Sequence, residues 1–356
     1  MGSHARPNRI HRTGVRIAMV ALVGAALPIS AGGLAQAATP GATHSADEND
    51  QQGSGATATA GQKQGTQRQS QSAQAAPHAV KGKAADAQDA KNQAAPQIKA
   101  DHAFLLDARD GSQERELWGG AKADESVSMA STTKIMTAIV VLKHPEWLNR
   151  PITVKQEYRD YVQKVGGSTA DLQTGDTLTV EQLLHAMLIP SGDDAAMALA
   201  DNLGSGDTTD ARIADFVNQM NAEAQQLGLL GTHFDGFDGI SHGNNLSTAR
   251  DLAKLGQRAM LQPVFADIVK NKQFKTEALA ANGHIRYYTW DNTNKLLSSY
   301  DGALGIKTGS GPEAGYALVF AAERDNRTLV GAILKDDNDQ GRFDDATKML
   351  DWGFAH

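Results

Sequence analysis

All nine phenylalanines, six tyrosines and four tryptophans of this chain lie at or after Phe104. These large side chains dominate core burial. The first hundred residues therefore lack the means to build a core of their own, and the folded part is expected from about residue 98. The stretch 98–356 is about 260 residues, long enough to bury about three quarters of its unfolded surface without covalent help. With no cysteine in the sequence, thiol nucleophiles, thiolate zinc sites, iron–sulfur clusters and disulfides are excluded.

Residues 1–37 carry Arg6, Arg9, Arg12 and Arg16 and no acid, then a charge-free run from Ile17 to Leu34, then Ala35-Gln36-Ala37. A basic segment, an apolar segment and a small-x-small site describe a secretory signal peptide. Cleavage is expected after Ala37, and Pro28 with its neighbouring glycines makes the apolar run a poor permanent span. Removing the four arginines takes the formal charge from −7 to −11. Nucleic acid is not an expected partner, because its binding needs basic surface to displace counterions. From Ala38 to Gln97 the chain is Ala, Gln, Gly, Ser and Thr with scattered charges, and Val80 is its one large aliphatic residue. Such a segment cannot offset its ordering entropy by burial and reads as a disordered tether. The expected location is extracytoplasmic, in the cell-wall space. The protein is expected there free after cleavage or held by an uncleaved N-terminus, since nothing after Trp352 reads as a further domain or anchor.

Within 98–356, Phe104–Asp107, preceded by His102-Ala103, and Glu114–Trp118 read as a hairpin around Gly111. Ile135, Met136, Ile139, Val140 and Leu142 are spaced for a buried helix opening at Ser131. Thr179 with Gln182 forms a capping box for a second helix. Further helices are expected at about 194–203, 213–227, after Ser247, and from Phe343 to Trp352. Strands are expected at 285–290, 304–308, 316–322 and 328–334. Strands at both ends with helices between them predict an α+β fold, a single antiparallel sheet assembled from the two ends of the domain around a helical middle.

Several chemical signals are weak. Gly239-Ile240-Ser241-His242-Gly243 fits G-x-S-x-G, yet both flanks read as turn rather than the strand and helix that a nucleophile elbow requires. His233, Asp235, Asp238 and His242 lack the i, i+4 spacing that sets two histidines on one helix face, so ordinary loop polarity is the expectation and no metal site is assigned. No glycine-rich phosphate loop opens a helix, and no cofactor is expected.

Two signals belong together. Ser131-Thr132-Thr133-Lys134 places a lysine one turn above a serine, with Cβ atoms about 5–6 Å apart. A serine is a weak nucleophile until a base takes its proton, and a lysine is such a base only when neutral. Burial on an apolar helix and a second nearby cation both push a lysine that way. Lys307-Thr308-Gly309 supplies the second cation, on a strand whose glycines admit an extended peptide along its edge. The backbone N–H at Ser131 lies near a developing oxyanion.

The chain here resembles the penicillin-recognising serine enzymes, and within them the low-molecular-mass D-alanyl-D-alanine carboxypeptidases of peptidase family S11. The resemblance runs from about residue 98 to the C-terminus. It is carried by residues 130–138, 187–192 (Met-Leu-Ile-Pro-Ser-Gly), 216–221, 247–253, 305–309 (Gly-Ile-Lys-Thr-Gly) and 352–354. It implies a β-lactamase/transpeptidase-like fold. It implies Ser131 as acylated nucleophile, Lys134 as base, Ser191 as proton relay, Lys307 as positive potential and Thr308 as binder of the substrate carboxylate. The N–H groups of Ser131 and Ser310, beside Gly309, would form the oxyanion hole, and Arg342 would hold the same carboxylate bidentately. The implied substrate is a peptidoglycan stem peptide ending in D-Ala-D-Ala, with β-lactam antibiotics as covalent inhibitors. A monomer is expected.

One position departs from the family pattern. The S-x-N element reads Ser191-Gly192-Asp193, so a carboxylate stands where an asparagine amide is usual. A carboxylate only accepts hydrogen bonds, and near Lys134 it favours the ammonium. Asp193 is expected to face Lys134 and to retune acylation. D,D-transpeptidation, serine β-lactamase activity on the same site, and a wall-binding module without catalysis remain the alternative readings.

Overall fold

The computed structural model describes residues 94–108 and 114–356. These all belong to the second of two units in the chain, Ala73–His356. The expected signal segment and all but the last residues of the expected tether lie outside the described residues.

Eleven strands and nine helices are described. In chain order they are β1 (His102–Asp107), β2 (Arg115–Gly119), β3 (Val127–Ser128), α1 (Lys134–Leu142), β4 (Pro151–Thr153), α2 (Gln156–Val165), β5 (Thr177–Thr179), α3 (Val180–Leu188) and α4 (Asp193–Leu203). There follow α5 (Thr209–Gln226), β6 (Leu246–Ser247), α6 (Ala249–Met260), α7 (Pro263–Val269), β7 (Gln273–Leu279), β8 (Ile285–Asp291) and α8 (Leu296–Ser299). The chain then runs through β9 (Ala303–Gly311), β10 (Gly315–Arg324), β11 (Arg327–Asp336) and α9 (Gly341–Ala355).

The main sheet has the order β2-β1-β11-β10-β9 and is antiparallel throughout. Strands from both ends of the domain meet at its centre, where His102 pairs with Leu334 and Asp107 with Leu329. Alternation along β1 sends Phe104 and Leu106 to one face and Leu105 to the other. The first face packs on the helical middle, in which every residue of α1 is buried. The second packs on Phe343, Ala346, Met349 and Leu350 of α9. A sheet covered on both sides explains why β10 and β11 are runs of apolar residues rather than alternating ones. β9 is left at the edge.

The α+β class is as expected, and so is the capping box: Thr179 Oγ1 accepts from the Gln182 amide at 3.2 Å, while Gln182 Oε1 accepts from the Thr179 amide at 2.8 Å. The single sheet is not. The strand expected at 285–290 belongs to a separate four-stranded sheet, β4-β5-β7-β8, because it finds a local partner in β7 across the turn at Ala280–His284. β3 and β6 form a further pair. Ser247 is used in β6, and it is Thr248 that caps α6 through the Asp251 amide at 2.9 Å. The last helix starts at Gly341, two residues before the expected position, so Arg342 lies inside its first turn.

Candidate active site

The site is assembled where the start of α1, the turn between α3 and α4, the loop 237–245 and strand β9 converge. Ser131 sits in a single 3₁₀ turn, Ala130–Thr133, and the α-helix proper begins at Lys134 rather than at the serine. Ala130 holds φ at +47°, a conformation sparsely populated for residues with a side chain and one that persists only when the surroundings enforce it. The surroundings do so. Thr132 and Thr133 turn their hydroxyls back onto the carbonyls of Met129 and Ala130, and Asn245 Nδ2 donates to Thr133 Oγ1 at 2.7 Å. Gly239 is packed so closely that a Cβ there would stand 2.1 Å from the Ala130 oxygen.

Lys134 is fully buried. Its Nζ donates to Ser131 Oγ at 2.9 Å and to the backbone oxygen of Asp238 at 2.7 Å, and forms an ion pair with Asp193 Oδ1 at 2.5 Å. Three acceptors surround a group that as an ammonium carries three hydrogens. The expectation that Asp193 faces Lys134 thus matches the geometry. Asp193 opens α4, and its Oδ2 accepts from the Ser168 amide at 2.9 Å. Ser191, in the same turn, is buried with φ at +71°, the left-handed region again.

Lys307 is buried on β9 and makes no ion pair among the described residues; its one hydrogen bond runs to the Thr308 carbonyl at 3.0 Å. Burial, and then the charge of Lys134, hold it well below the ordinary lysine value. Thr308 Oγ1 is 2.6 Å from Thr293 Oγ1. Gly309 brings β9 against Ser131: a Cβ on it would lie 3.1 Å from the Ser131 amide nitrogen. Ser310 is exposed on the open side of the strand. Arg342 is buried behind it, with Nη1 donating to the Gly309 and Ala317 carbonyls at 2.7 and 2.8 Å and Nη2 paired with Asp339. Among the described residues Nε alone has no partner. The guanidinium braces the strand.

Sequence reasoning missed Asp238 as a member of this site. It is buried, its Oδ2 accepts from Tyr161 Oη at 2.7 Å and its Oδ1 from the Ile240 amide at 2.9 Å. Burial and the neighbouring Asp193 charge push it up to about 6. The signal available was the Asp238-Gly239 dipeptide, which marks a turn but not what the turn touches. Of the weaker motifs, Ser241 Oγ accepts from the Gly243 amide at 2.9 Å, a local turn contact. Among the described residues no cluster of histidines, acids or cysteines is arranged to hold a metal ion.

Comparison with known proteins places this arrangement. The family model for D-alanyl-D-alanine carboxypeptidase (Peptidase S11) matches residues 89–338. The chain is 49% identical over 235 residues to the D-alanyl-D-alanine carboxypeptidase of Streptomyces sp. (strain K15), covering 65% of this chain and 81% of that one. It is 34% identical over 269 residues to DacC of Escherichia coli (strain K12), covering 73% of this chain and 62% of that longer relative. The crystal structure of the Streptomyces K15 DD-transpeptidase superposes with a TM-score of 0.72 at 46% identity, covering 74% of this chain and all of that one. With a buried lysine bonded to a serine beside a K-T-G edge strand, and a family model matched over most of its length, the chain belongs to the D-alanyl-D-alanine carboxypeptidase family of serine peptidases.

Proposed function

We propose that Ser131 attacks the carbonyl of the penultimate D-alanine in a peptidoglycan stem ending in D-Ala-D-Ala, that the terminal D-alanine leaves, and that water releases the acyl group from Ser131. The observation that carries this is the 2.9 Å hydrogen bond between Lys134 Nζ and Ser131 Oγ at the foot of edge strand β9. Lys134 takes the hydroxyl proton and Ser191 passes a proton to the departing amine. The substrate lies antiparallel to β9 as an added strand. Its terminal carboxylate meets Thr308 Oγ1 and the positive potential of Lys307, while the amides of Ser131 and Ser310 receive the oxyanion. Arg342 acts through the strand it braces. Every residue in this scheme comes from one chain, so a monomer suffices.

The strained amide of a β-lactam enters the same site and acylates Ser131. A fluorescent penicillin should label the protein covalently, and Ser131→Ala should abolish the label. Labelling that persists in Ser131→Ala would place the nucleophile elsewhere.

The similarity to a protein described as a DD-transpeptidase supports a second outcome, transfer of the acyl group to an amine rather than to water. Mass spectrometry of products from a synthetic pentapeptide, with and without glycine as acceptor, separates the two. The basic and apolar segments of residues 1–37 support export of the enzyme to the cell-wall space, where its substrate lies. N-terminal sequencing of the exported protein tests cleavage after Ala37.

A further inference from the structure

Lys134 faces a difficulty that this chain creates for itself. Its Nζ donates to two oxygens and is ion-paired with a third, surroundings that suit an ammonium, and in that state it cannot take the proton of Ser131. An asparagine amide at 193 could not take a proton from the ammonium. This chain has a carboxylate there, and the carboxylate is divided in its duties. Oδ2 is fixed by the Ser168 amide, whereas Oδ1 has the ion pair with Lys134 and no aligned hydrogen bond. Gly167 lets the carboxylate sit flush against the chain, since a Cβ there would be 2.1 Å from Oδ2.

Resting on the serine-peptidase reading above, we propose that Asp193 is the proton acceptor that converts Lys134 from ammonium to free amine before acylation. The Nζ–H bond facing Asp193 breaks as an Oδ1–H bond forms, leaving a neutral amine and a neutral carboxyl. A one-third turn about Cε–Nζ then aims the amine lone pair at Ser131. As Oγ bonds to the substrate carbonyl carbon, its proton passes to Nζ, and from there through Ser191 to the departing nitrogen. Lys134 is again a free amine, ready to take a proton from the deacylating water and return it to Ser131 Oγ. The stored proton goes back from Asp193 to Lys134 when product leaves.

The surroundings favour such a transfer. A buried ion pair is stabilised less by its mutual attraction than it would be penalised if either charge stood alone, so moving one proton removes both charges at small cost. The charged and titratable groups around Asp193 are Lys134 on α1, Asp238 on its loop, Tyr161 on α2 and Lys307 on β9. Asp238 disfavours a second negative charge beside it, and Lys307 disfavours a second ammonium. Asp194 is unsuited to the role: its oxygens already receive Thr169 Oγ1 and the amides of Ala170, Leu172 and Ala195.

The test is the pH profile of penicillin acylation in wild type and Asp193→Asn. If Asp193 were only a brake on Lys134, the variant would move the acid limb to lower pH and keep or raise the plateau. As proton acceptor, Asp193 lets the pair react while it still holds one proton, so wild type acylates below the pH at which Lys134 could lose a proton to solvent; its loss should move the limb to higher pH and lower the rate on the acid side by at least about tenfold, with the alkaline plateau kept. A limb that moves to lower pH or stays in place overturns the proposal, as does a uniform fall at every pH, which would report structural damage only. Should Asp193→Asn fail to fold, difference infrared spectra of the penicilloyl enzyme in an Asp238→Asn background decide. A carboxylic-acid band gained on acylation, shifting with ¹³C-aspartate, is expected, and its absence overturns the proposal. Absence of any Ser131 adduct in wild type would instead sink the serine-peptidase reading itself.

Discussion

Gly309 touches Ser131 across the floor of the cleft: a Cβ on the glycine would stand 3.1 Å from the serine amide nitrogen and 2.9 Å from the Met129 oxygen. The strand proposed to receive substrate and the turn that holds the proposed nucleophile are in backbone contact. Gly309→Ala must push them apart and shift one donor of the proposed oxyanion hole. Losing such a donor costs about 10²–10³ in rate. Penicillin acylation in Gly309→Ala is expected to fall by at least about tenfold, with thermal stability changed far less, as stopped-flow acylation and calorimetry would show.

Asp238 gives the stability of the enzyme a pH dependence of unusual sign for an acid. Its carboxyl is pushed up to about 6, above its unfolded value, by burial first and the Asp193 charge second. The folded state therefore binds this proton more tightly. The contribution is fully present below about pH 4 and is lost as pH rises through 6, a change of about 3 kcal/mol at 1.36 kcal/mol per unit. Asp238→Asn removes the dependence, since the amide can still accept from Ile240 and donate to Tyr161. Urea unfolding from pH 4 to 7 should show wild type losing about that much relative to the variant; parallel curves would refute the assignment.

Thr293 Oγ1 lies 2.6 Å from Thr308 Oγ1, the hydroxyl proposed to meet the substrate carboxylate. Thr293→Val keeps the shape and deletes that partner. A neutral hydrogen bond is worth about 0.5–1.5 kcal/mol, so KM for a D-Ala-D-Ala peptide is expected to rise about three- to tenfold with kcat little changed. An effect confined to kcat would move Thr293 out of substrate binding.

Arg342 holds two carbonyls on adjacent strands. Arg342→Ala takes a charged donor from both, at about 1.5–3 kcal/mol each, and the melting temperature should fall accordingly. Arg342→Lys should not restore it, because an ammonium lacks the planar fork that serves β9, β10 and Asp339 together. Full rescue by lysine would show that charge alone matters.

The pair Ser131 and Lys134 was legible because i, i+3 spacing fixes which side chains meet on one turn, and Asp193 because it occupies a recognisable slot beside Ser191. Asp238 was not. What reaches Lys134 from it is a backbone carbonyl, and any residue has one; its placement depends on Gly239 closing on Ala130, a contact across more than a hundred positions. The main sheet was readable from long apolar strands. β3, β4, β5 and β6 are two or three residues each, too short to show a period, and α2 buries only Tyr158 and Val162, leaving a polar surface that mimics a loop. β7 escaped because four of its seven residues are polar and its one fully buried residue is Ala278.

The register of β1 on β11 joins His102 to Leu334, which makes the first strand wait for the last. Synthesis delivers the chain from its N-terminus, so Ser131 emerges long before the strand carrying Lys307. A nascent or C-terminally truncated polypeptide holds Ser131 without the edge on which an acyl donor is laid. The site that joins Ser131 to Lys307 is therefore completed late, after the final hairpin has inserted between β1 and β9.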